Sequence, residues 1–491
     1  MINLYKASGL FLVLTFMLIG CTKEKNSKMV KITIHASRMK VEEVELNTVN
    51  VLSLESSVLA RPKVDPTGAS IIRFNLSRPL FGYLKIGEQY TQVLLSPGYD
   101  LHVYVNKFAS TPLRFVGKGS EANNYLAQVW LLQNKFENRG GEEIFQLNPQ
   151  AFLARLDSME IAFADFHRHY TDNASIPKGI STLLERKAKF KVLYLKQNYA
   201  LSNLDQLEST DPEIFKELKD VAAGVPFDTT CLNSGLFEYA FSLQMYMDQK
   251  IYAPLASATM PGTAERSKDY FLTGADKIIN QGDYPLDIRE FFIAKNIYSS
   301  MSGTGITPGI NTLITNFKKK FGTSAYLPSL EEKFNKWLAI SEGMTAPEIV
   351  GITSEGKSLT LSDLKGKIVY IDVWATWCAP CLKEMPYSKK LTKQFEKNNQ
   401  VVFLYVSVDQ DKEAWKRMLA SDKEFKGIHI LEQSKENTTS IMEAYLINGI
   451  PRYMLIDQEG NIAKADASRP SSGKVIGEIK EIIKKKKVAI L

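Results

Sequence analysis

The 491-residue sequence predicts a multidomain α+β chain: an N-terminal antiparallel β-sandwich, a mostly α-helical middle region and a C-terminal α/β domain. Three changes of pattern carry this reading. From Val30 to Gly117 apolar residues alternate with a period of two, as in "VKITIHA", in Ile72/Phe74/Leu76 and in Leu101/Val103/Val105, and the turn signals "DPTG", "SPGYD" and "GKGS" separate the runs. Short alternating strands with regular turns suit a sandwich half-buried on each face. Over 118–340 the period lengthens, and Phe152, Leu156, Met159, Phe163 and Phe166 step by four and three along one helical face. From 341 to 491, strands that are apolar throughout alternate with helices, the pattern of a sheet covered on both faces.

Composition bounds the function. With 44% hydrophobic and 23% charged residues the chain can bury real cores. Its 61 Lys+Arg and 54 Asp+Glu are interspersed, and no basic stripe is interleaved with aromatics, which argues against nucleic acid as a partner. The densest basic run, "KEIIKKKK" from Lys480 to Lys487, reads as the solvated end of a terminal helix, where cations are favoured by the dipole.

Residues 1–20 read as a signal peptide. Lys6 supplies the positive start, and Leu10 to Ile19 forms an apolar stretch of about ten residues, too short to span a bilayer. "LIGC" then places Cys21 at the start of the polar linker 21–29, and this resembles the lipobox of bacterial lipoproteins. The resemblance implies acylation of Cys21 and a lipid anchor, with the body of the protein outside the bilayer. Four cysteines are present: Cys21, Cys231, Cys378 and Cys381. With Cys21 carrying lipid, Cys378 and Cys381 pair most simply, and Cys231 reads as a small buried hydrophobe.

Within the middle region, "TDPEIFKEL" sets Thr210 or Asp211 as a helix cap with Pro212 in the first turn, so Asp211 reads as a cap rather than as a catalytic acid. Further helices are expected around 235–249, 286–300 and 330–341. His35 and His102 read as isolated strand residues. In the last domain, strands are expected at Ile368–Trp374, Val401–Val408, Tyr453–Asp457 and Asn461–Ala465. Helices are expected at Leu382–Phe395, Lys412–Phe425, Thr438–Leu446 and Val475–Lys485, and a hairpin or loop fills 341–367.

The chemistry centres on "WCAPC". Cys378 follows a buried strand and opens a helix, so its sulfur faces unpaired backbone N–H groups that favour thiolate over thiol. Cys381 lies one turn on, within disulfide reach. Pro380 stands in the first turn, where its missing N–H costs nothing. Cys378 is expected to attack, being exposed by the strand end, and Cys381 to resolve the mixed disulfide. Zinc is disfavoured because one C-x-x-C supplies two ligands of four, while Cys231 and His429 are scattered. No metal and no cofactor beyond the dithiol is expected.

"GMTAPEI", "LTLSDLKGK", "VWATWCAPC" and "NGIPRYMLID" together resemble the TlpA/ResA-type thiol-disulfide oxidoreductases, membrane-anchored proteins of bacterial envelopes with a thioredoxin-like fold. The resemblance implies that Pro451 is the cis-proline beside the dithiol and that Ile450 and Pro451 present a backbone edge to substrate. It implies that Asp372, six residues before Cys378, is the buried acid that assists proton transfer to the resolving thiol, although many chains of this type carry Asn there. Glu384 corresponds to a glutamate that tunes the dithiol; read without the resemblance it is a carboxylate on the helix surface. Trp377 shields the thiol and, with Pro380, shapes the docking surface, whereas Trp374 reads as core. A peroxidatic cysteine has a Thr three residues before it, and Ala375 stands there instead. More weakly, "LFGYL" and "RFVGKGSEANNYL" resemble the β-rich module that precedes such domains in Gram-negative envelope lipoproteins. The resemblance implies a reductant of envelope protein disulfides, recharged by a membrane reductant, lipid-anchored on the periplasmic side (outer membrane before inner), of the kind used in c-type cytochrome biogenesis. A scaffold lipoprotein whose head only holds client proteins is the first alternative, and a peroxiredoxin-like peroxidase the second.

Overall fold

The structure, a computed structural model, describes residues 28–36, 41, 43–105, 113–138, 141–258, 267–433 and 439–489. The expected signal peptide and the Cys21 anchor lie outside the described residues. The chain divides into two compact units, 1–245 and 246–491. That boundary falls inside the helix Phe237–Met247, not at the changes of pattern at 118 and 340.

The first unit begins with eight strands: β1 Met29–His35, β2 Val44–Asn50, β3 Glu55–Ala60, β4 Ala69–Asn75, β5 Leu80–Ile86, β6 Gln89–Leu95, β7 Asp100–Val105 and β8 Leu113–Lys118. They form two four-stranded sheets, β4-β1-β7-β8 and β3-β2-β5-β6. Alternation puts Val30, Ile32, Ile34, Leu101 and Val103 of one sheet into a single core with Leu46, Leu84, Ile86, Val93 and Leu95 of the other. The ladders are antiparallel except β1–β7, which is parallel. That parallel register sets Thr33 opposite His102 and brings His35 Nε2 to 3.1 Å from His102 Nδ1. The two histidines that read as isolated are therefore in contact, through a pairing that no local pattern announces.

The "GKGSEANNYL" segment closes this sandwich. Gly119 adopts φ 99°, and a Cβ there would lie 2.2 Å from the Tyr99 ring, so only glycine fits. The helix Ser120–Glu137 follows. Asn123 accepts from Leu94 N (2.9 Å) and donates to Leu94 O (3.0 Å) on the edge strand β6. Asn124 does the same to Phe115 on the edge strand β8, at 3.0 and 2.9 Å. Two consecutive side-chain amides thus satisfy main-chain groups on the open edges of both sheets, the groups that would otherwise invite strand addition. Helices Pro149–Asn173, Lys178–Thr210 and Pro212–Lys219 follow, the first burying Phe152, Leu156, Met159 and Phe163. Asp211 caps the last of these, accepting from Ile214 N at 3.2 Å.

The second unit carries the helices Tyr270–Gln281, Leu286–Thr304, Pro308–Lys320 and Leu327–Ala339, and then the α/β domain. Its strands are β9 Val350–Ile352, β10 Ser358–Thr360, β11 Ile368–Trp374, β12 Val401–Ser407, β13 Ile428–Glu432, β14 Arg452–Ile456 and β15 Ile462–Lys464. They form one seven-stranded sheet in the order β10-β9-β13-β12-β11-β14-β15. β11, β12 and β13 run parallel, and the outer pairings are antiparallel. β11 is buried at every position, which accounts for its apolar sequence. This is the expected multidomain α+β chain with a thioredoxin-like C-terminal domain. β13 is additional to the expected strands: "IHILE" is short and interrupted by His429, which is half-buried here with its ring stacked on Tyr405. No helix among the described residues is long and apolar enough to cross a membrane.

Candidate functional site

The site lies at the carboxyl end of the parallel strands, where open α/β sheets leave a crevice. β11 ends at Trp374, which is buried and whose carbonyl accepts from Val408 N at 3.0 Å. Cys378 N donates to Ala375 O at 3.1 Å, closing a turn, and Cys378 becomes the N-cap of the helix Ala379–Gln394. Its Sγ accepts from Cys381 N at 3.2 Å. A sulfur in the cap position meets an otherwise orphaned N–H and the positive end of the helix dipole.

Cys378 and Cys381 form a disulfide, with Cα atoms 5.3 Å apart. The expected difference in exposure is not found, since each cysteine is 4% exposed. In the bridged state both sulfurs sit against the core cluster of Tyr370, Trp374, Tyr405 and Tyr453. What distinguishes Cys378 is its cap position. Trp377 is 68% exposed, and Pro380 occupies the first turn of the helix. The Ile450–Pro451 bond is cis, and Ile450 packs on the cluster that contains both cysteines.

Asp372 is buried and does not face solvent. It shares a face of β11 with Tyr370 and Trp374, opposite Tyr405 on β12 and Tyr453 on β14. Burial, reinforced by the negative charge of Glu384, pushes its carboxyl up to about 8. Asp372 Oδ1 and Tyr453 OH find no hydrogen-bond partner among the described residues. Glu384 is also buried, not a surface carboxylate. It accepts from Ser471 N (3.0 Å) and Ser471 Oγ (2.8 Å), and so holds the turn Pro470–Ser472. Among the described residues no group of three or more His, Cys, Asp or Glu is placed to hold a metal.

Residues 341–476 match the family model described as Redoxin. The thiol-disulfide oxidoreductase ResA of Bacillus subtilis (strain 168) is 36% identical over 129 residues, which are 26% of this chain and 67% of that protein. A ResA of Bacillus cereus is 33% identical over 137 residues, 28% of this chain and 70% of that protein. Through this domain the chain belongs to the ResA family of thiol-disulfide oxidoreductases. A solved thioredoxin domain of a thiol-disulfide oxidoreductase from Bacteroides vulgatus is 33% identical, with 30% of this chain and 96% of that domain covered and a TM-score of 0.25.

A ResA-type enzyme uses a redox-active cysteine pair rather than a bound cofactor. Set against that chemistry, sequence reasoning overlooked three residues. Thr376, in the turn before Trp377, donates its N–H and hydroxyl to Asp409. Ser471 lies 87 residues from Glu384, and no local signal connects them. The Thr376–Asp409 contact was findable. Strands β11 and β12 are parallel with Trp374 opposite Ser407, so the residues two further on, Thr376 and Asp409, emerge side by side.

Proposed function

We propose that this chain is a lipid-anchored reductant of protein disulfides in a bacterial envelope, working through Cys378 and Cys381. The observation that carries the reading is the Cys378 sulfur in the cap position of its helix, one turn from the sulfur it bridges. In the reduced protein the Cys378 thiolate attacks one sulfur of a substrate disulfide and expels the other as a thiolate, giving a mixed disulfide. Cys381 passes its proton towards the Asp372 carboxylate and attacks Cys378 Sγ. The substrate sulfur bonded to Cys378 then leaves as a thiolate, and the 378–381 bridge closes. Two electrons pass from the protein dithiol to the substrate, and a membrane reductant returns them.

A carboxyl that titrates near neutrality suits this transfer, because it can take up and release a proton at working pH. Trp377, Pro380, Ile450 and Pro451 form the surface on which an extended substrate docks, and Glu384 tunes the acidity beneath it. Cys21 carries the lipid, on the periplasmic side and at the outer membrane before the inner. The sandwich 30–117 and the helical region 118–340 present the head 341–491 to its clients, with the maturation of c-type cytochromes as one route such a reductant serves. The test is the Cys381→Ser variant, which stalls at the mixed disulfide. Envelope extracts should yield adducts that vanish on reduction and require Cys378. A scaffold would yield none that depend on Cys378.

A further inference from the structure

The turn Ala375–Thr376–Trp377 delivers Cys378 to its helix, and its position is not set by β11 alone. Just past the end of β12, Asp409 is buried at the same edge of the sheet. Asp409 Oδ1 accepts from Thr376 N (3.1 Å) and Thr376 Oγ1 (2.6 Å). Asp409 Oδ2 accepts from Thr376 N (3.0 Å) and Ser407 Oγ (2.7 Å). Ser407 Oγ in turn accepts from Asp409 N at 3.1 Å, which fixes the carboxylate from behind. Val408 N to Trp374 O, at 3.0 Å, completes the tie between the two strand ends. A buried carboxylate that accepts hydrogen bonds from the amide and hydroxyl of Thr376 and from Ser407 holds the turn with more ties than its one amide needs.

We propose that Asp409 is a positioning residue that, through Thr376, fixes the turn carrying Cys378 so that its sulfur stays over the start of the active-site helix. The inference rests on the reading that Cys378 is the attacking sulfur. Without the carboxylate, Thr376 N–H and the turn are released, and the sulfur samples positions away from Cys381 N–H. The thiolate then loses its stabilising donor. A carboxylate acting only as a nearby negative charge would do the opposite, since its removal would ease thiolate formation. The two roles therefore differ in sign.

The experiment is the pH dependence of iodoacetamide alkylation at Cys378 in the reduced full chain, read on the Cys378 peptide by mass spectrometry, for wild type, Asp409→Ala, Asp409→Asn and Thr376→Val. Positioning predicts that Asp409→Ala moves the Cys378 titration upward and slows its attack on a small test disulfide at pH 7 by about ten- to a hundredfold. Thr376→Val, with the charge intact and one tie lost, moves in the same direction by less. Asp409→Asn, which keeps an acceptor for Thr376 N–H, stays nearer wild type. A titration that is unchanged or moves downward in Asp409→Ala overturns the proposal. If Asp409→Ala fails to fold, Thr376→Val decides, because both a pure charge effect and a purely structural role leave its titration where it was. The titration needs no substrate disulfide. A wild type that titrates as described but exchanges no disulfide would defeat the functional reading and leave the positioning question answered.

Discussion

Asp372 is the residue at which stability and chemistry conflict. Its folded carboxyl is raised from an ordinary value of 3.8 to about 8 by burial and by the charge of Glu384. The folded protein therefore holds a proton that the unfolded chain releases, and the contribution to stability is complete below about pH 4 and lost as pH rises through about 8. Asp372→Asn removes the burden of ionising a buried group. It should stabilise the oxidised protein at pH 8 by on the order of a few kcal/mol, with the gain shrinking towards pH 4, as read from denaturation midpoints at the two pH values. The same variant should slow closure of the 378–381 bridge, because no carboxylate receives the Cys381 proton. The spacing of Asp372 from Cys378 was legible in the sequence. Its burial was also inferable from the apolar strand around it, but the absence of a partner for Oδ1 was not, because that depends on the tyrosines of two neighbouring strands.

At the scale of elements, the active-site helix does two jobs. Its first turn holds the sulfurs, and its second holds Glu384 against the turn Pro470–Ser472. Glu384→Ala leaves Ser471 N and Oγ without their acceptor, at a cost of about 1–2 kcal/mol. Faster hydrogen exchange at the Ser471 amide is the expected sign. Glu384→Gln keeps an acceptor but removes the charge, so the Asp372 titration should fall towards the ordinary carboxylate range, measurable by NMR of its carboxyl carbon. Strands and helices with strong periodicity were legible: β11, β12, β14 and the helix that buries Phe152, Leu156, Met159 and Phe163. β13 was not, because a half-buried histidine breaks its apolar run. Its place is fixed by pairing with β12 and by the stack of His429 on Tyr405. Partnerships between elements, such as Glu384 with Ser471 and His35 with His102, exist only after the chain folds.

At the scale of the whole molecule, the described residues hold three cysteines in two settings. Cys231 lies in the first unit, buried and unbridged, and burial pushes its thiol up to about 12. It is therefore a poor nucleophile at neutral pH. The full chain carrying Cys378→Ser and Cys381→Ser should be inert towards a small test disulfide although Cys231 remains, and Cys231 should be alkylated only after denaturation. The sequence outlined the order of sandwich, helices and α/β domain because each has its own period. It did not show that the compact units part at 245/246, inside a helix.

The central claim is that sulfurs 378 and 381 exchange electrons as a pair, with 378 the readier to ionise. Equilibrating the full chain across a graded dithiothreitol buffer, then trapping free thiols with an alkylating agent and mapping the peptides, tests it most directly. The predicted result is one reversible transition in which both cysteines change together, with Cys378 in the reduced protein alkylated faster at pH 7 than free cysteine. A bridge that does not re-form under mild oxidation, or a Cys378 no more reactive than free cysteine, would contradict the account.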